Sequence, residues 1–447
     1  MASLNWFHRR HMPGGANVPH FKHTSECATA LFPTPSKVCI PMQQHIGAPC
    51  DPVVKVGDTV KAGQLIGDSP SPVSAPIHAS ISGKVTAIGE ILMPFGTKCT
   101  TVTITSDGEN TLDTSLCPPT LDSKEDFLKA IRSSGLVGLG GAGFPTSIKL
   151  NPKNIQEVNT LIINGAECEP FITSDYREFM ENTDDVIEGI LLVKKFLDMN
   201  DVYIGIENNK PEAIRLMTKK LADYPEIHVV TLKSRYPQGA EKVLIYEVSG
   251  KIVPEGKLPA DVGVLVMNVA SIGFLNRYCK TGVPLISKRL TIDGSAILHR
   301  KNIRVPIGTM ISDVAQYCGG YTQPAKKILM GGPMMGTALY TDEFPILKQN
   351  NAILFFGEED LPKHNRQTSC IRCGRCVRAC PMSLMPLEVE RAYRQDDIPA
   401  LQSLKAVICM ECGSCEYSCP AKRPLVSVMR LSKQAIRNAA AKQKKTD

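Results

Sequence analysis

The sequence predicts a multidomain chain of α/β plus α+β class, and three patterns predict it. Between residues 37 and 106, short β-branched runs are punctuated by turn residues, the signature of a small all-β unit. Between 120 and 285, helical periods alternate with apolar strand runs, the signature of a mostly parallel sheet. From Cys370 to Pro420, two matched runs of four cysteines lie in a segment of helical pattern. A chain of 447 residues is long enough for several domains and a sizeable core.

Residues 1–36 read as an N-terminal arm rich in Pro, His and Gly. His8, His11, His20 and His23 raise the thought of a metal site, but the composition favours a disordered or draped arm. Residues 37–117 follow as the all-β unit. Val53-Val54-Lys55-Val56 runs into Gly57-Asp58, Val60 into Ala62-Gly63, and Gln64-Leu65-Ile66 into Gly67-Asp68. Pro76-Ile77-His78-Ala79 and Ser82-Gly83-Lys84-Val85 continue the series. These phrases resemble the lipoyl/biotinyl barrel-sandwich family. No Met-Lys-Met phrase occurs, so no lipoate or biotin is expected, and the unit is read as an interface. Asp107–Pro119 reads as a linker.

Residues 118–285 read as a Rossmann-like domain. Ser123, three residues before Asp126, signals a helix start, and a helix continues to Ser134. Then comes a glycine-rich loop containing Gly135, Gly138, Gly140, Gly141, Gly143, Phe144 and Lys149. Glycines let backbone amides approach a phosphate closely, and a following helix N-terminus adds a favourable dipole. Lys149 supplies a point charge. Gly138 to Gly143 satisfies G-x-G-x-x-G, a weak signal by itself. It also follows a helix rather than a strand, so a variant nucleotide site fits better than a standard one.

The strand Thr160–Asn164 runs into a polar loop carrying Glu167, Cys168 and Glu169, at the end of a strand where open α/β sheets bind ligands. Solvated loop carboxylates are the plainer alternative for the two glutamates. Further strands are expected at Val202–Ile206, His228–Leu232 and Gly263–Val269, with helices at Asp184–Met199, Pro211–Tyr224 and Glu241–Ser249. Residues 286–345 read as a small β-grasp-like unit with strands at 289–294, 301–306 and 326–330 and a helix at Thr309–Cys318. Residues 346–361 read as a linker into a mostly helical domain, 362–447.

In that last domain, Cys370, Cys373, Cys376 and Cys380 repeat as Cys409, Cys412, Cys415 and Cys419, each run ending in Pro. The spacing C-x2-C-x2-C-x3-C-P is that of paired [4Fe–4S] clusters, in which the fourth Cys ligates the other cluster. One cluster then takes Cys370, Cys373, Cys376 and Cys419, the other Cys409, Cys412, Cys415 and Cys380. The fourth Cys of each run is expected to open a helix, with Pro381 and Pro420 in its first turn. Zinc usually takes two C-x2-C pairs, and disulfides need an oxidising compartment. The other eight cysteines have no ligand spacing and read as small buried hydrophobes.

The net charge of +7 is uneven: residues 362–447 hold 16 Lys/Arg against 7 Asp/Glu. These cations offset the negative charge of thiolate clusters. The surplus suits an acidic partner protein or anionic headgroups, and a solvated helical tail is the plainer account of the last lysines. No aromatic-interleaved basic patch occurs, so nucleic acid is a poor partner. The first residues hold no apolar run, so no signal peptide is expected. No stretch approaches 18 apolar residues, so no membrane-spanning helix is expected.

Taken together, these motifs resemble a known family. The Gly138–Lys149 loop and the Asn164–Pro170 phrase look like the flavin- and NADH-binding subunit of respiratory complex I. The domain order, Gln44-His45-Ile46-Gly47, Asn208-Asn209-Lys210-Pro211, Met330–Gly336 and both Cys runs fit more closely the C subunit of the Rnf-type ion-translocating electron transport complex. The resemblance implies a noncovalent FMN, an NAD(H) site, a barrel-sandwich domain, a Rossmann-like FMN/NAD domain, a β-grasp soluble-ligand-binding domain and a ferredoxin-like domain with two [4Fe–4S] clusters. By motif position Gly138, Gly140, Gly141 and Lys149 would hold the FMN phosphate, with Gly143 also among the cofactor-binding residues, and Asn164 and Asn268 would hold other parts of the flavin. Phe144 would stack on adenine, and Glu167, Glu169 and Glu241 would line the nicotinamide side near Tyr236. Ala166, Ala240 and Met267 depart from the complex I pattern, where Asp, Glu and Asn stand.

The implied function is a peripheral subunit of ferredoxin:NAD+ oxidoreductase on the cytoplasmic side of the cell membrane. Its partners would be the membrane and iron–sulfur subunits of the complex, NAD(H), and ferredoxin indirectly. No side chain need act as a catalytic acid or base. Two alternatives share the parts. One is a soluble cobalamin-reductase-like enzyme of microcompartments, in which the barrel-like segment follows the flavin domain rather than preceding it. The other is a flavin-free electron relay.

Overall fold

The computed structural model describes residues 13–94, 96–361 and 366–446, with side chains described as far as residue 443. His8 and His11 of the arm lie outside the described residues.

The barrel unit is two small antiparallel sheets. One orders Lys37–Pro41, Lys98–Ser106, Gly83–Leu92 and Thr59–Val60; the other orders Asp51–Pro52, Leu65–Asp68 and Ile77–His78. Val38, Ile40, Ile66, Ile77, Val85, Val102 and Ile104 fill the space between them. Gly83 allows the closest approach: at φ +150°, a Cβ there would lie 2.0 Å from the Thr105 carbonyl oxygen. The long hairpin outgrows the barrel. Ile91 and Met93 at its far end pack against the core of a second sheet, and the Tyr340 hydroxyl donates to the Leu92 carbonyl at 3.0 Å.

The central unit is a four-stranded, wholly parallel sheet in the spatial order Ile227–Leu232, Asp201–Glu207, Thr160–Gly165, Val264–Asn268. All four strands fall within two residues of their expected limits. They are apolar on both faces because both faces are covered. Leu161 and Ile163 enter a core built with the helices Lys124–Ser133, Thr183–Leu197 and Val269–Thr281. Ile162 enters the opposite core, against Glu241–Ser249. Two helices escape the sequence reading, Ser174–Glu181 and Val269–Thr281. In the second, Gly273 makes room for the Glu178 carboxylate, which a Cβ would meet at 2.4 Å.

The third unit is a six-stranded mixed sheet ordered Thr29–Leu31, Lys301–Pro306, Ser287–Asp293, Ala352–Phe356, Lys327–Met330, Thr337–Leu339. It corrects one expectation. The span 346–361 is not a linker, because Ala352–Phe356 is a wholly buried strand between two others. Its Ala-Ile-Leu-Phe-Phe run is the composition of a strand covered on both faces, and the polar residues before it masked that signal. Of the two expectations for the arm, the described part is draped: Thr29–Leu31 pairs parallel with the sheet edge, and Ala16 bridges Tyr236 of the central unit.

The Cys-rich end is helical, with Pro386–Arg394, Ile398–Ser403 and Leu425–Thr446 around a core of Val389, Leu401, Ala406 and Met429. Each cysteine run wraps a single short turn, Arg375–Arg378 or Ser414–Tyr417, entered through a left-handed glycine, Gly374 or Gly413. The fourth cysteine therefore ends a helix rather than opening one. Pro381 and Pro420 sit in the turns that follow, and the next helix starts at Pro386 or Leu425. Phe355→Ala tests the new strand: losing a ring of zero exposure should cost about 3–5 kcal/mol in urea unfolding. A true linker would tolerate the change.

Candidate functional site

In the parallel sheet, the first strand, Thr160–Gly165, lies inside, with later strands added on both sides. The direction of winding reverses between it and Val264–Asn268, where open α/β sheets leave a ligand crevice at the strands' carboxyl ends. Asn164 and Asn268 occupy those ends and pair in register. The glycine-rich loop closes over them. It folds back on itself, with the Gly138 amide donating to the Phe144 carbonyl at 2.9 Å and the Gly143 amide to the Gly138 carbonyl at 3.1 Å. Gly140, Gly141 and Ala142 at its tip are exposed. A Cβ on Gly140 would lie 3.0 Å from Asn268 Nδ2, so glycine is what lets the loop meet the strand end. The loop's base is fixed from beneath: the Leu139 amide donates to Ser271 Oγ at 3.0 Å, and Lys288 Nζ to the Leu139 carbonyl at 2.8 Å.

The helix after the loop, Thr146–Lys149, is a single turn, too short for the dipole expected of it. What it delivers is Lys149, whose Nζ meets Glu241 Oε1 at 2.5 Å with both side chains about a third exposed. Asn164 donates to the Gly239 carbonyl at 2.8 Å. Asn268 caps the helix Val269–Thr281 through its oxygen and donates to Asp175 Oδ2 at 2.7 Å. Gly138, Gly140, Gly141, Gly143, Phe144, Lys149, Glu241, Asn164 and Asn268 are thus gathered around the switch point. Asp175 belongs with them and was missed, because it opens a helix the sequence reading lacked. Burial and the neighbouring Glu167 push its carboxyl up to about 7.

Glu167, Glu169 and Tyr236 are not on an open face as expected. Glu167, at φ +49°, turns inward and accepts from the amides of Asp175 at 2.6 Å and Tyr176 at 3.2 Å, capping the helix Ser174–Glu181. Glu169 accepts from the amides of Met334 at 3.0 Å and Met335 at 2.8 Å. Tyr236 is 1% exposed and packs with Ala16, Val18, Cys168, Met334 and Cys412. The reason is a pair of lysines that draw the loop in. Lys22 donates to the carbonyls of Glu167, Glu169 and Ile172 at 2.8, 2.9 and 2.6 Å. Lys210 donates to the Ala166 carbonyl at 2.7 Å. Lys210 stood in a quoted phrase without a role, and Lys22 carried no signal.

Among the described residues, no three His, Cys, Asp or Glu side chains are placed to hold a single metal ion. The cysteines instead surround a cavity lined by Cys380, Cys409, Cys412 and Cys415, with Pro381, Leu384, Val426 and Met429. Burial raises the Cys415 thiol, and Cys409, Cys412 and Cys380 raise it further. Such mutual repulsion is relieved when iron takes the thiolates. Across the repeat, Cys419 likewise raises Cys376, and the Arg423 guanidinium faces Cys370 and Cys419. The two groups differ in exposure: Cys412 and Cys415 are buried, whereas Cys373 is exposed beside exposed Arg372 and Arg375.

A parallel sheet with a glycine loop at its switch point, joined to a barrel-sandwich and a paired-Cys domain, defines a class of flavin and iron–sulfur electron-transfer proteins. Three family models match: a Nuo51 FMN-binding domain over residues 131–276, an RnfC barrel-sandwich hybrid domain over 10–109, and a 4Fe-4S dicluster domain over 369–422. The chain is 46% identical to the C subunit of the proton-translocating ferredoxin:NAD(+) oxidoreductase complex of Clostridium ljungdahlii, over 82% of this chain and 80% of that one. It is 41% identical to the C subunit of the Na(+)-translocating complex of Acetobacterium woodii, over 95% and 96%. A chain in the crystal structure of an air-oxidized NAD+-reducing [NiFe]-hydrogenase shares the fold, with a TM-score of 0.51 at 15% identity, over 72% of this chain and 67% of that one. The protein belongs to the RnfC family, the C subunits of ion-translocating ferredoxin:NAD+ oxidoreductase complexes.

Two outcomes follow for the site. Cys380→Ser should degrade the same paramagnetic signal as Cys412→Ser, while Cys419→Ser should degrade the other; EPR of the reduced, iron-loaded variants checks this. Burial pushes the Glu169 carboxyl from 4.5 up to about 7. The unfolded chain releases that proton at lower pH than the native one, so stability should fall as pH rises from about 4.5 to about 7 and level off above. Urea midpoints across pH 4–9 should show that slope, to which Asp175 adds over the same range, and Glu169→Gln should make it shallower.

Proposed function

We propose that this chain passes electrons between NAD(H) and two [4Fe–4S] clusters by way of a noncovalent FMN. It does so as a peripheral subunit of a membrane-bound, ion-translocating ferredoxin:NAD+ oxidoreductase. The observation that carries the reading is the meeting of the exposed glycine loop with Asn164 and Asn268 at the switch point, in the same chain as the converging thiols. A bound flavin supplies the exchange between two-electron and one-electron carriers. The protein's part is to hold it. Gly140 and Gly141 at the exposed tip would present amides to the phosphate, and Gly138 and Gly143, whose amides close the loop on itself, would hold the tip in shape. Lys149 turns from Glu241 to meet it. Asn164 and Asn268 support the ring system, Phe144 stacks on adenine, and Glu241 borders the nicotinamide. Glu167, Glu169 and Tyr236 act from beneath, holding the loop and the cluster domain against the sheet.

The clusters use Cys370, Cys373, Cys376 and Cys419, and Cys409, Cys412, Cys415 and Cys380. Contact between Cys412 and Tyr236 supports assigning the second set to the flavin side. The first set then faces partners, and its exposed arginines suit an acidic iron–sulfur protein of the complex. The six-stranded sheet fits a β-grasp soluble-ligand-binding domain. No helix among the described residues is long and apolar enough to cross a membrane, so attachment to the cytoplasmic face is assigned to the membrane subunits. The relatives named above are subunits of ion-translocating complexes, which sets aside the microcompartment alternative.

Anaerobic titration of the FMN-supplemented, iron-loaded protein with NADH tests the reading. Flavin absorbance should bleach first and the broad cluster absorbance should follow. If dithionite reduces the clusters while NADH does nothing and FMN stays free, the reading fails.

A further inference from the structure

Beneath the glycine loop, where the parallel sheet's helices meet the six-stranded sheet, lies a cavity lined by Leu139, Ser174, Glu178, Arg277, Arg289 and Arg304, with Lys288 beside them. Its polar lining is built but incomplete. Ser174 and Arg289 are 4% and 7% exposed, yet the Ser174 hydroxyl and Arg289 Nε have no hydrogen-bond partner. The other Arg289 nitrogens are engaged by Glu178, Glu181 and Asn182. Arg277 is held by Glu178 at 2.7 Å and Asp185 at 3.1 Å. Lys288 donates to the Leu139 carbonyl at 2.8 Å and faces Asp175. Among the described residues, Arg304 is the one cation of this lining whose side chain has no ion pair or hydrogen bond.

The charges do not balance around it. Arg277, Lys288, Arg289 and Arg304 face Glu178, Glu181 and Asp185, while Asp175 is itself pushed toward its neutral form by burial. The surplus sits at Arg304, whose own pKa is lowered to about 10 by burial and by Arg277 and Arg289. Arg304 is half-buried, with Glu178 and Glu181 nearby but not paired to it, and an anion beside it would offset the remaining charge. The free volume is about 20 Å³, above the roughly 10–15 Å³ that one water-sized occupant needs and well short of room for a nucleotide.

We propose that this cavity is a binding site for one small monovalent anion of the halide class, held by Arg304, Arg289 Nε and the Ser174 hydroxyl. Chloride is the member available in cells. The anion completes the contact between the strands Ser287–Asp293 and Lys301–Pro306 and the helices Ser174–Glu181 and Val269–Thr281, directly under the carbonyl that anchors the glycine loop. A water molecule would satisfy the two orphaned polar atoms but would leave the Arg304 charge unmatched.

The test is bromide. Crystals of the iron-loaded protein soaked in bromide should give one anomalous peak between Arg304, Arg289 and Ser174, retained in Arg304→Lys and lost in Arg304→Gln. In solution, chlorine-35 line broadening at about 0.1 M chloride, a concentration of roughly physiological ionic strength, should be displaced by bromide and reduced at least several-fold in Arg304→Gln. A wild-type crystal with no anomalous peak at this position overturns the proposal. So does a peak that survives Arg304→Gln, or one seen only at molar bromide without line broadening, which would be an adventitious ion only. None of these outcomes depends on flavin binding, so they stand apart from the NADH titration.

Discussion

Lysine ammonium groups bound to backbone carbonyls hold this molecule together where its units meet. Lys348, 1% exposed, donates to the carbonyls of Pro76 in the barrel at 2.6 Å and Gly135 in the central unit at 2.7 Å. Lys288 reaches from the six-stranded sheet to Leu139. Lys210 and Lys22 hold the loop after Gly165. Loops that leave secondary structure carry unpaired carbonyls, and burying them without a donor is costly. A lysine brings three donors on a long stem, so one side chain can satisfy carbonyls from more than one segment. The arrangement strains the charge: burial lowers Lys348 to about 7 and Lys22 and Lys288 to about 8.

That constraint gives the candidate site its shape. The glycine loop is free only at its tip, because Lys348 fixes Gly135 where it begins and Lys288 fixes Leu139 midway. The Glu167–Glu169 loop is drawn the other way, into the protein, and its carboxylates become anchors for a helix and for the Met334 turn. Met334 in turn packs with Tyr236 and Cys412. A continuous packed path therefore runs from beneath the switch point to the buried Cys412 and Cys415, while Cys373 in the other run stays at the surface.

Strong local signals were legible in the sequence. The four parallel strands are apolar runs bounded by turns, and each appears within two residues of expectation. Spacing suggests a crosswise grouping of Cys380 and Cys419; in the structure Cys380 lies near Cys409 and Cys412 as well as Cys376, and Cys419 near Cys376. Weaker signals misled. Ala352–Phe356 has the composition of a buried strand, yet the polar residues before it read as a linker. Val269–Thr281 lacks clean amphipathic contrast because most of it is buried. Pro381 and Pro420 looked like helix starts but mark turns.

Residue spacing alone determined the motifs this chain carries: two matched runs of four cysteines, a glycine-rich loop, and the strands of a parallel sheet. These depend on neighbours within a few positions, where local geometry is set by the chain itself. The tertiary structure decided which side chains face the crevice. Asp175 joins Asn268 across 93 positions, and Lys22 meets the Glu167 carbonyl across 145. Such contacts depend on the meeting of separate units, and the demand that buried carbonyls and carboxylates find donors leaves no periodic trace in the sequence.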